Sequence, residues 1–356
     1  NYEELKLDVS SESNCFLGNN GSGKTNLLDA IFYLAFCKSF CNPIDSQLIR
    51  DEEVYFMLQG EFLRKEEKEN IYCGLKKGQK KQFKRNKKEY EKLADHIGLI
   101  PLVMISPSDS ELILEGSDVR RRFLDIVISQ YDRKYLDHLI LYNKALSQRN
   151  RLLKKFMEIR KFDEASLEIW DEQLIKYGEP IFEARKEFIE KFQPLFQKNY
   201  DFISDKKEAV KLEYDSSLLT ETFANSLKQA RDKDRRMTYT TVGIHKDDLL
   251  FRINDFPMKK FGSQGQQKTF LLALKLSQAE LLKELKQIAP ILLLDDIYDK
   301  LDQERVAKLM TIVRKDWFGQ VFISDTHKDR LPNLFKELKA EFCAFHIENG
   351  SLENER

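Results

Sequence analysis

Apolar positions along this chain follow two different rhythms. From Ser117 to Val242 they recur at spacings of three and four among charged residues, and the only glycine in that stretch is Gly178. Phe123, Ile126, Val127, Ile128, Tyr131, Leu136, Leu139 and Tyr142 follow this spacing and predict an amphipathic helix over 120–156. A second helical run, 166–192, is expected to break at Gly178-Glu179-Pro180, and a third covers 218–231. The flanks read as strands: 54–62, 71–75, 102–105, 249–253, 291–294 and 321–324. The last two are short and continuously apolar, as parallel strands buried on both faces are. The pattern predicts an α/β lobe made from both ends of the chain, 1–112 and 237–356, with a mainly α-helical lobe, 113–236, inserted between them. No internal repeat and no sustained heptad run argues for an extended coiled coil.

Composition narrows the partners only slightly. The chain has 356 residues, and its 59 lysines and arginines balance 59 aspartates and glutamates. An anionic partner therefore has to be sought in the distribution of charge. No apolar stretch approaches the ~20 residues of a membrane span, and no secretory signal is visible, so a cytoplasmic protein without a membrane partner is expected. Cys15, Cys37, Cys41, Cys73 and Cys343 form no CxxC pair, which favours free thiols of a reducing compartment. The chain starts at Asn1, and further residues, with a strand ahead of Tyr2, are expected before it.

The strongest chemical signal is Gly18-Asn19-Asn20-Gly21-Ser22-Gly23-Lys24-Thr25, which meets the phosphate-loop pattern GxxxxGK[ST] at every position. The apolar Cys15-Phe16-Leu17 precedes it and a helix-like run from Asn26 to Phe36 follows. Glycines let successive N–H groups turn towards phosphate oxygens, and the helix N-terminus adds partial positive charge. Residues Gly18 to Asn26 are the expected ATP-binding segment, with Lys24 on the β- and γ-phosphates and Thr25 on Mg²⁺. Ile291-Leu292-Leu293-Leu294 ends in Asp295-Asp296. Asp295 is the expected second Mg²⁺ ligand, and Asp296 is placed to orient or deprotonate the attacking water.

A second anion-ready turn, Gly262-Ser263-Gln264-Gly265-Gln266, precedes another helical run. Ser263-Gln264-Gly265-Gln266 resembles the Ser-Gly-Gly-Gln signature of ATP-binding-cassette proteins, with one substitution. In that class the turn grips the γ-phosphate of ATP held by the other subunit. Asp299-Lys300-Leu301-Asp302 is similar to the D-loop of the class, which implies that Asp302 crosses a dimer interface. An ordinary helix cap by Ser263 is the alternative reading of the turn.

These motifs occur together with 105–109 (Ile-Ser-Pro-Ser-Asp), 120–125 (Arg-Arg-Arg-Phe-Leu-Asp) and 243–248 (Gly-Ile-His-Lys-Asp-Asp). In this order they resemble the RecF family, relatives of the SMC head domains, over nearly the whole chain. The resemblance implies an ABC-ATPase-like, SMC-head-like lobe in an ATP-dependent homodimer that binds DNA and hydrolyses ATP slowly. It also implies work with RecR and RecO in loading recombinase at single-strand gaps. Another SMC-like or ABC-type ATPase with a different partner is the alternative. A metabolite phosphoryl transferase has no use for the Gly262–Gln266 turn, and a transporter subunit fits the helical insertion less well. No Q-loop glutamine lies near Ser106 to Asp109, and Asp325, Thr326 and His327 all stand where a switch residue is expected.

Lys76, Lys77, Lys80, Lys81, Lys84, Arg85, Lys87 and Lys88 form a basic segment without an acid, expected on a projecting hairpin and able to contact a DNA backbone. Three consecutive arginines, Arg120 to Arg122, cannot share one helix face, so at least one is expected to turn back towards the nucleotide lobe or Asp125. His245, Asp247 and Asp248 have no further cluster nearby to complete a metal site, which favours a structural polar turn.

Overall fold

The computed structural model describes residues 2–204, 208–300, 303–313, 318–348 and 350–355. The chain divides into two compact units, Asn1–Asp109 with Leu271–Arg356, and Ser110–Phe270.

The first unit opens with β1 (Ser13–Leu17), buried at every position, and helix α1 (Lys24–Phe36). An antiparallel meander follows: β2 (Tyr55–Arg64), β3 (Glu67–Lys76), β4 (Gln82–Arg85) and β5 (Lys88–Glu89), then β6 (Leu102–Ile105). Alternation in β2 and β3 turns Phe56, Leu58, Ile71 and Cys73 to one face and polar or exposed residues to the other.

The second unit contains α2 (Glu111–Leu114), α3 (Ser117–Tyr131), α4 (Arg133–Ile159) and the 41-residue α5 (Glu164–Ser204). It continues through β7 (Val210–Asp215), α6 (Phe223–Met237), β8 (Asp248–Ile253), β9 (Phe256–Pro257) and α7 (Met258–Phe261). Helix α8 (Gln264–Lys286) begins in this unit and runs on into the first. The helical run expected over 120–156 is two helices. Asp132 adopts an extended conformation and its carboxylate accepts from Tyr135 N–H, so the residue caps α4. The break expected at Gly178 does not occur, and α5 continues through Pro180 and Pro194. Gly178 instead admits a neighbour: a Cβ there would stand 2.5 Å from Phe223 Cε1 and 3.1 Å from Tyr142 Cε2, both on fully buried rings.

The inserted unit also extends past the expected boundary at 236, to Phe270. The cause is strand pairing, since β8 is antiparallel to β7 from Asp248↔Asp215 to Ile253↔Val210, and the β7-β8-β9 sheet belongs to this unit. Phe270 closes it, packing edge-on against Phe196 at 4.6 Å and close to Phe251 at 5.0 Å.

Completing the first unit are β10 (Ile291–Leu294), α9 (Ile297–Lys300), α10 (Gln303–Val313), β11 (Val321–Asp325), α11 (Arg330–Glu337), β12 (Cys343–Glu348) and β13 (Ser351–Glu355). Its main sheet has the order β13-β12-β1-β11-β10-β6, parallel except for β13. Phe16 of β1 packs its ring 5.9 Å from Phe322 and 5.7 Å from Phe345, one on each neighbouring strand. The register Leu17↔Asp325 and Leu294↔Ile323 brings the carboxyl ends of β1, β11 and β10 to one edge, where parallel sheets present their ligand sites.

Each unit holds one histidine in the same arrangement, His96 fully buried and His245 partly buried. Nε2 faces a backbone carbonyl, Leu34 O at 2.7 Å for His96 and Thr240 O at 3.0 Å for His245. A carbonyl only accepts, so Nε2 carries the proton and Nδ1 accepts from a tyrosine hydroxyl, Tyr90 at 3.0 Å and Tyr142 at 2.8 Å. Burial pushes both imidazoles down to about 4.

Two expectations follow for stability. Gly178→Ala should lower the unfolding free energy by about 1–2 kcal/mol in urea titration, because overpacking Phe223 outweighs the ~1 kcal/mol helix advantage of alanine. Both histidines stay neutral in the folded chain while the unfolded chain takes up protons below about pH 6.5. Stability is therefore full above that pH and falls as the pH drops towards about 4, by on the order of 2 kcal/mol per histidine. Thermal melts between pH 7.5 and 4.5 should show this loss, and His245→Gln should remove about half of it, leaving the share of His96.

Candidate nucleotide site

The loop after β1 folds around its own lysine. Lys24, 4% exposed, donates from Nζ to Gly18 O at 2.8 Å and Asn19 O at 2.9 Å. Gly23 has φ 113°, a left-handed value that suits glycine, and passes directly into α1. Gly18 runs so close to β12 that a Cβ would lie 2.2 Å from Ile347 O, so no side chain fits there. Asn19, Asn20, Gly21 and Ser22 border a cleft of about 160 Å³ that is also lined by Lys328 and Glu348. Lys328 is a cation beside the loop that the motif pattern does not reveal, since it lies some three hundred residues away and reaches the loop only through the parallel sheet.

Thr25 and Asp295 meet as expected of a magnesium pair. Thr25 Oγ1 lies 3.1 Å from both Asp295 carboxylate oxygens, and Ser324 Oγ donates to Asp295 Oδ1 at 2.7 Å. A hydroxyl beside a carboxylate is a hard oxygen donor set, and it fits Mg²⁺, which takes one or two protein oxygens and completes its shell with phosphate and water. Asp296 follows with φ 44°, its N–H donating to Ser324 Oγ at 2.9 Å. That left-handed kink turns the chain out of β10 immediately after the buried carboxylate. Among the three switch candidates, Asp325 is buried, accepts from His327 N–H at 3.1 Å and faces Arg330 Nε at 3.5 Å, while His327 is exposed. Asp302 lies outside the described residues.

The Gly262–Gln266 turn is a reciprocal cap on α8. Ser263 N–H donates to Gln266 Oε1 at 2.7 Å, and Ser263 Oγ accepts from Gln266 N–H at 3.2 Å. Gln267 Nε2 donates to Gly262 O, and Thr269 Oγ1 to Gly265 O, both at 3.0 Å. Ser263 and Gln264 are exposed at the tip. Gln266 also donates to Glu208, a residue that no motif picks out.

The basic segment does form hairpin turns, between β3 and β4 and between β4 and β5, but Lys81 and Arg85 are tied to buried or partly buried acceptors, and the exposed Lys77 donates to Glu53 O at 2.8 Å. Lys81 Nζ sits 2.6 Å from Asp45 Oδ2, 2.8 Å from Tyr33 Oη and 2.6 Å from Cys37 O, where it satisfies partly buried acceptors. Arg85 pairs with the buried Glu69 through Nε at 2.7 Å and through Nη2, and this guanidinium lowers the Glu69 carboxyl below the usual range. Lys81 and Arg85 are therefore structural, which corrects their expected place among DNA contacts. Lys76, Lys77, Lys80, Lys87 and Lys88 are exposed, and Lys84 lies 5.4 Å above the Tyr72 ring.

Two of the three clustered arginines, Arg120 and Arg121, are also engaged internally, while Arg122 is exposed. Arg120 makes a fork with Asp248, Nε–Oδ1 2.7 Å and Nη2–Oδ2 2.9 Å, and Arg121 donates to Asp247 O at 2.7 Å. The cation on Asp125 is Arg185, at 2.9 Å, and neither Arg120 nor Arg121 takes that place. Both His245 nitrogens are bonded, Arg120 holds the Asp248 carboxylate, and Arg185 and Tyr214 donate to Asp247 Oδ2, so 243–248 is a structural turn. Among the described residues no group of three or more metal-binding side chains occurs, and no helix is long and apolar enough to cross a membrane.

Comparison with known proteins gives a consistent result. Residues 1–340 match the family model of the RecF/RecN/SMC N terminal domain. The chain is 53% identical to the DNA replication and repair protein RecF of Phocaeicola vulgatus, over 99% of its own length and 95% of that protein. It is 50% identical to the protein of the same name from Flavobacterium johnsoniae, over 98% and 97%. A solved structure of the recombination mediator protein RecF with ATP superposes with a TM-score of 0.91 at 33% identity, covering 100% of this chain and 94% of that one. An Smc head bound to the C-winged helix domain of ScpA superposes at 0.57 with 14% identity, a likeness of fold alone.

Proposed function

The chain belongs to the RecF family of DNA replication and repair proteins, and on that premise we propose that it is an ATP-dependent homodimeric clamp on DNA. In this reading it is a slow, DNA-dependent ATPase that acts with RecR and RecO to load recombinase at single-strand gaps. The observation that carries the reading is the contact of Thr25 with Asp295, one residue beyond a lysine enclosed by a complete phosphate loop.

Residues Gly18 to Asn26 hold the triphosphate, with Lys24 moving its donors from loop carbonyls to the β- and γ-phosphates. Magnesium held by Thr25 and Asp295 supplies charge neutralisation at the phosphates. Asp296 takes the proton of the attacking water as its oxygen bonds to the γ-phosphorus and ADP leaves. An aspartate reaches one methylene less far than a glutamate, which favours slow turnover. From a second copy, Ser263 and the N–H groups of Gln264 and Gly265 meet the γ-phosphate, Gln266 shapes that turn, and Asp302 approaches across the interface. ATP binding and dimerisation are then linked, each strengthening the other. Lys76, Lys77, Lys80, Lys84, Lys87 and Lys88 are the cations available to DNA phosphates.

Sedimentation should show a monomer without nucleotide and a dimer with ATP and Mg²⁺. Ser263→Arg should stay monomeric at saturating ATP while still binding it, and a wild-type monomer under those conditions would refute the clamp. On duplex and gapped DNA, replacing Lys76, Lys77 and Lys80 by alanine should weaken binding at every sequence tested. It should also reduce the slope of log K against log salt by about 2–3, as expected when about three phosphate contacts are lost. An unchanged slope would move the DNA path elsewhere.

A further inference from the structure

A carboxylate holds the Gly262–Gln266 turn from behind. Gln266 Nε2 donates to Glu208 Oε1 at 3.0 Å, and Tyr200, fully buried on α5, donates its hydroxyl to Glu208 Oε2 at 2.9 Å. Gln197 secures the same segment, donating to Glu208 O at 3.3 Å and accepting from Val210 N–H at 2.9 Å.

The chemistry of these partners fixes an orientation. An ionised carboxylate only accepts hydrogen bonds, so Gln266 must present its NH₂ group to Glu208. Its Oε1 then points the other way, where Ser263 N–H meets it at 2.7 Å. That bond closes the cap, and within it Ser263 Oγ is used as an acceptor by Gln266 N–H. A hydroxyl has one proton beside its lone pairs, so the Ser263 O–H keeps its donor for a group outside the cap. With the Gln266 amide reversed, NH₂ would face the Ser263 N–H and the cap would open.

We propose that Glu208 is a positioning residue for the ATP-gripping turn: by orienting the Gln266 amide it aims the Ser263 hydroxyl at the γ-phosphate of ATP held by a second copy. The inference rests on the trans role of Ser263 proposed above. Glu208 touches neither nucleotide nor metal in this scheme and acts only through Gln266.

The test compares Glu208→Ala, Glu208→Gln, Tyr200→Phe and Ser263→Arg in the full chain. Self-association with ATP and Mg²⁺ is read by sedimentation, ATP affinity of the dilute monomer by fluorescent-nucleotide titration, and folding by thermal melting. Glu208→Ala should weaken ATP-dependent association about tenfold or more, the scale of a lost charge-assisted hydrogen bond. Monomer ATP affinity should stay within about twofold, since the phosphate loop is untouched. Glu208→Gln keeps an acceptor for Gln266 Nε2 and should retain association within about threefold. Association of Glu208→Ala at the wild-type level would overturn the inference. So would equal losses in the Ala and Gln variants, which would point to charge instead of amide orientation. Should Glu208→Ala fail to fold, Tyr200→Phe decides: weakened association supports the relay, and wild-type association refutes it. Normal ATP-dependent association of Ser263→Arg would instead show that the trans reading itself is wrong.

Discussion

A carboxylate buried at the end of a parallel strand has to be met by donors, and at Asp295 that requirement organises the nucleotide-facing edge of the sheet. Removing an ionised carboxyl from water costs several kcal/mol unless hydrogen bonds replace the lost hydration. Asp295 is 6% exposed, and its oxygens are met by hydroxyls from two other elements, Thr25 of α1 and Ser324 of β11. Ser324 in turn accepts the N–H of Asp296, so one carboxylate fixes the exit of β10 as well. Lys24 presents the complementary case, a buried cation satisfied by two carbonyls of its own loop. Both charges are thus met by neutral oxygen groups, carbonyls for Lys24 and hydroxyls for Asp295.

The second unit is organised by charge in a different way. Arg185 is 1% exposed and binds Asp125, Asp247, Ile244 O and the Tyr135 hydroxyl, while Tyr214 donates to the same Asp247. Arg149, fully buried, joins Asp171, Asp234 and Thr240. These pairs bring little net stability over apolar packing, but breaking one leaves a buried charge uncompensated. Their effect here is positional, because they hold 240–248 against α3, α4, α5 and α6. From that fixed point the chain runs through β8 and α7 to the Gly262–Gln266 turn. The position of the turn thus depends on a helical bundle that lies outside the phosphate loop and the Asp295-Asp296 strand end.

The parts legible in the sequence are those where chemistry and geometry are both local. The phosphate loop, the strand ending at Asp295-Asp296 and the helix cap at Ser263, the alternative reading of that turn, each lie within a few consecutive residues, and the structure contains the loop, the strand end and the cap. Less legible was whatever depends on a distant partner. Asp132 looks like one more polar residue in a helical run until its carboxylate is seen capping α4. Gly178 and Pro180 are local breakers, yet the helix runs through both, and Phe223, 45 positions later in the chain, fills the space beside Gly178. Lys81 and Arg85 share a basic run with six other cations, and only the fold shows Asp45 and Glu69 waiting for them. The boundary expected at 236 failed for the same reason, since β8 belongs with β7 by pairing and not by proximity in sequence.

Capping and gripping were competing readings of Ser263, and the geometry makes them compatible. The helix cap uses an oxygen lone pair, whereas a phosphate oxygen needs the hydroxyl proton. The same residue can therefore close the first turn of α8 and present a donor beyond it. Capping also improves the donor, because it removes rotational freedom from the hydroxyl before any phosphate arrives, so less ordering remains to oppose binding. The first N–H groups of a helix have no intrahelical acceptor and favour negative charge. A turn built like this has little affinity to offer a lone phosphate, being exposed and small. Such donors become effective when a second surface fixes the anion and excludes water, which is what the proposed second copy, with ATP on its phosphate loop, would supply.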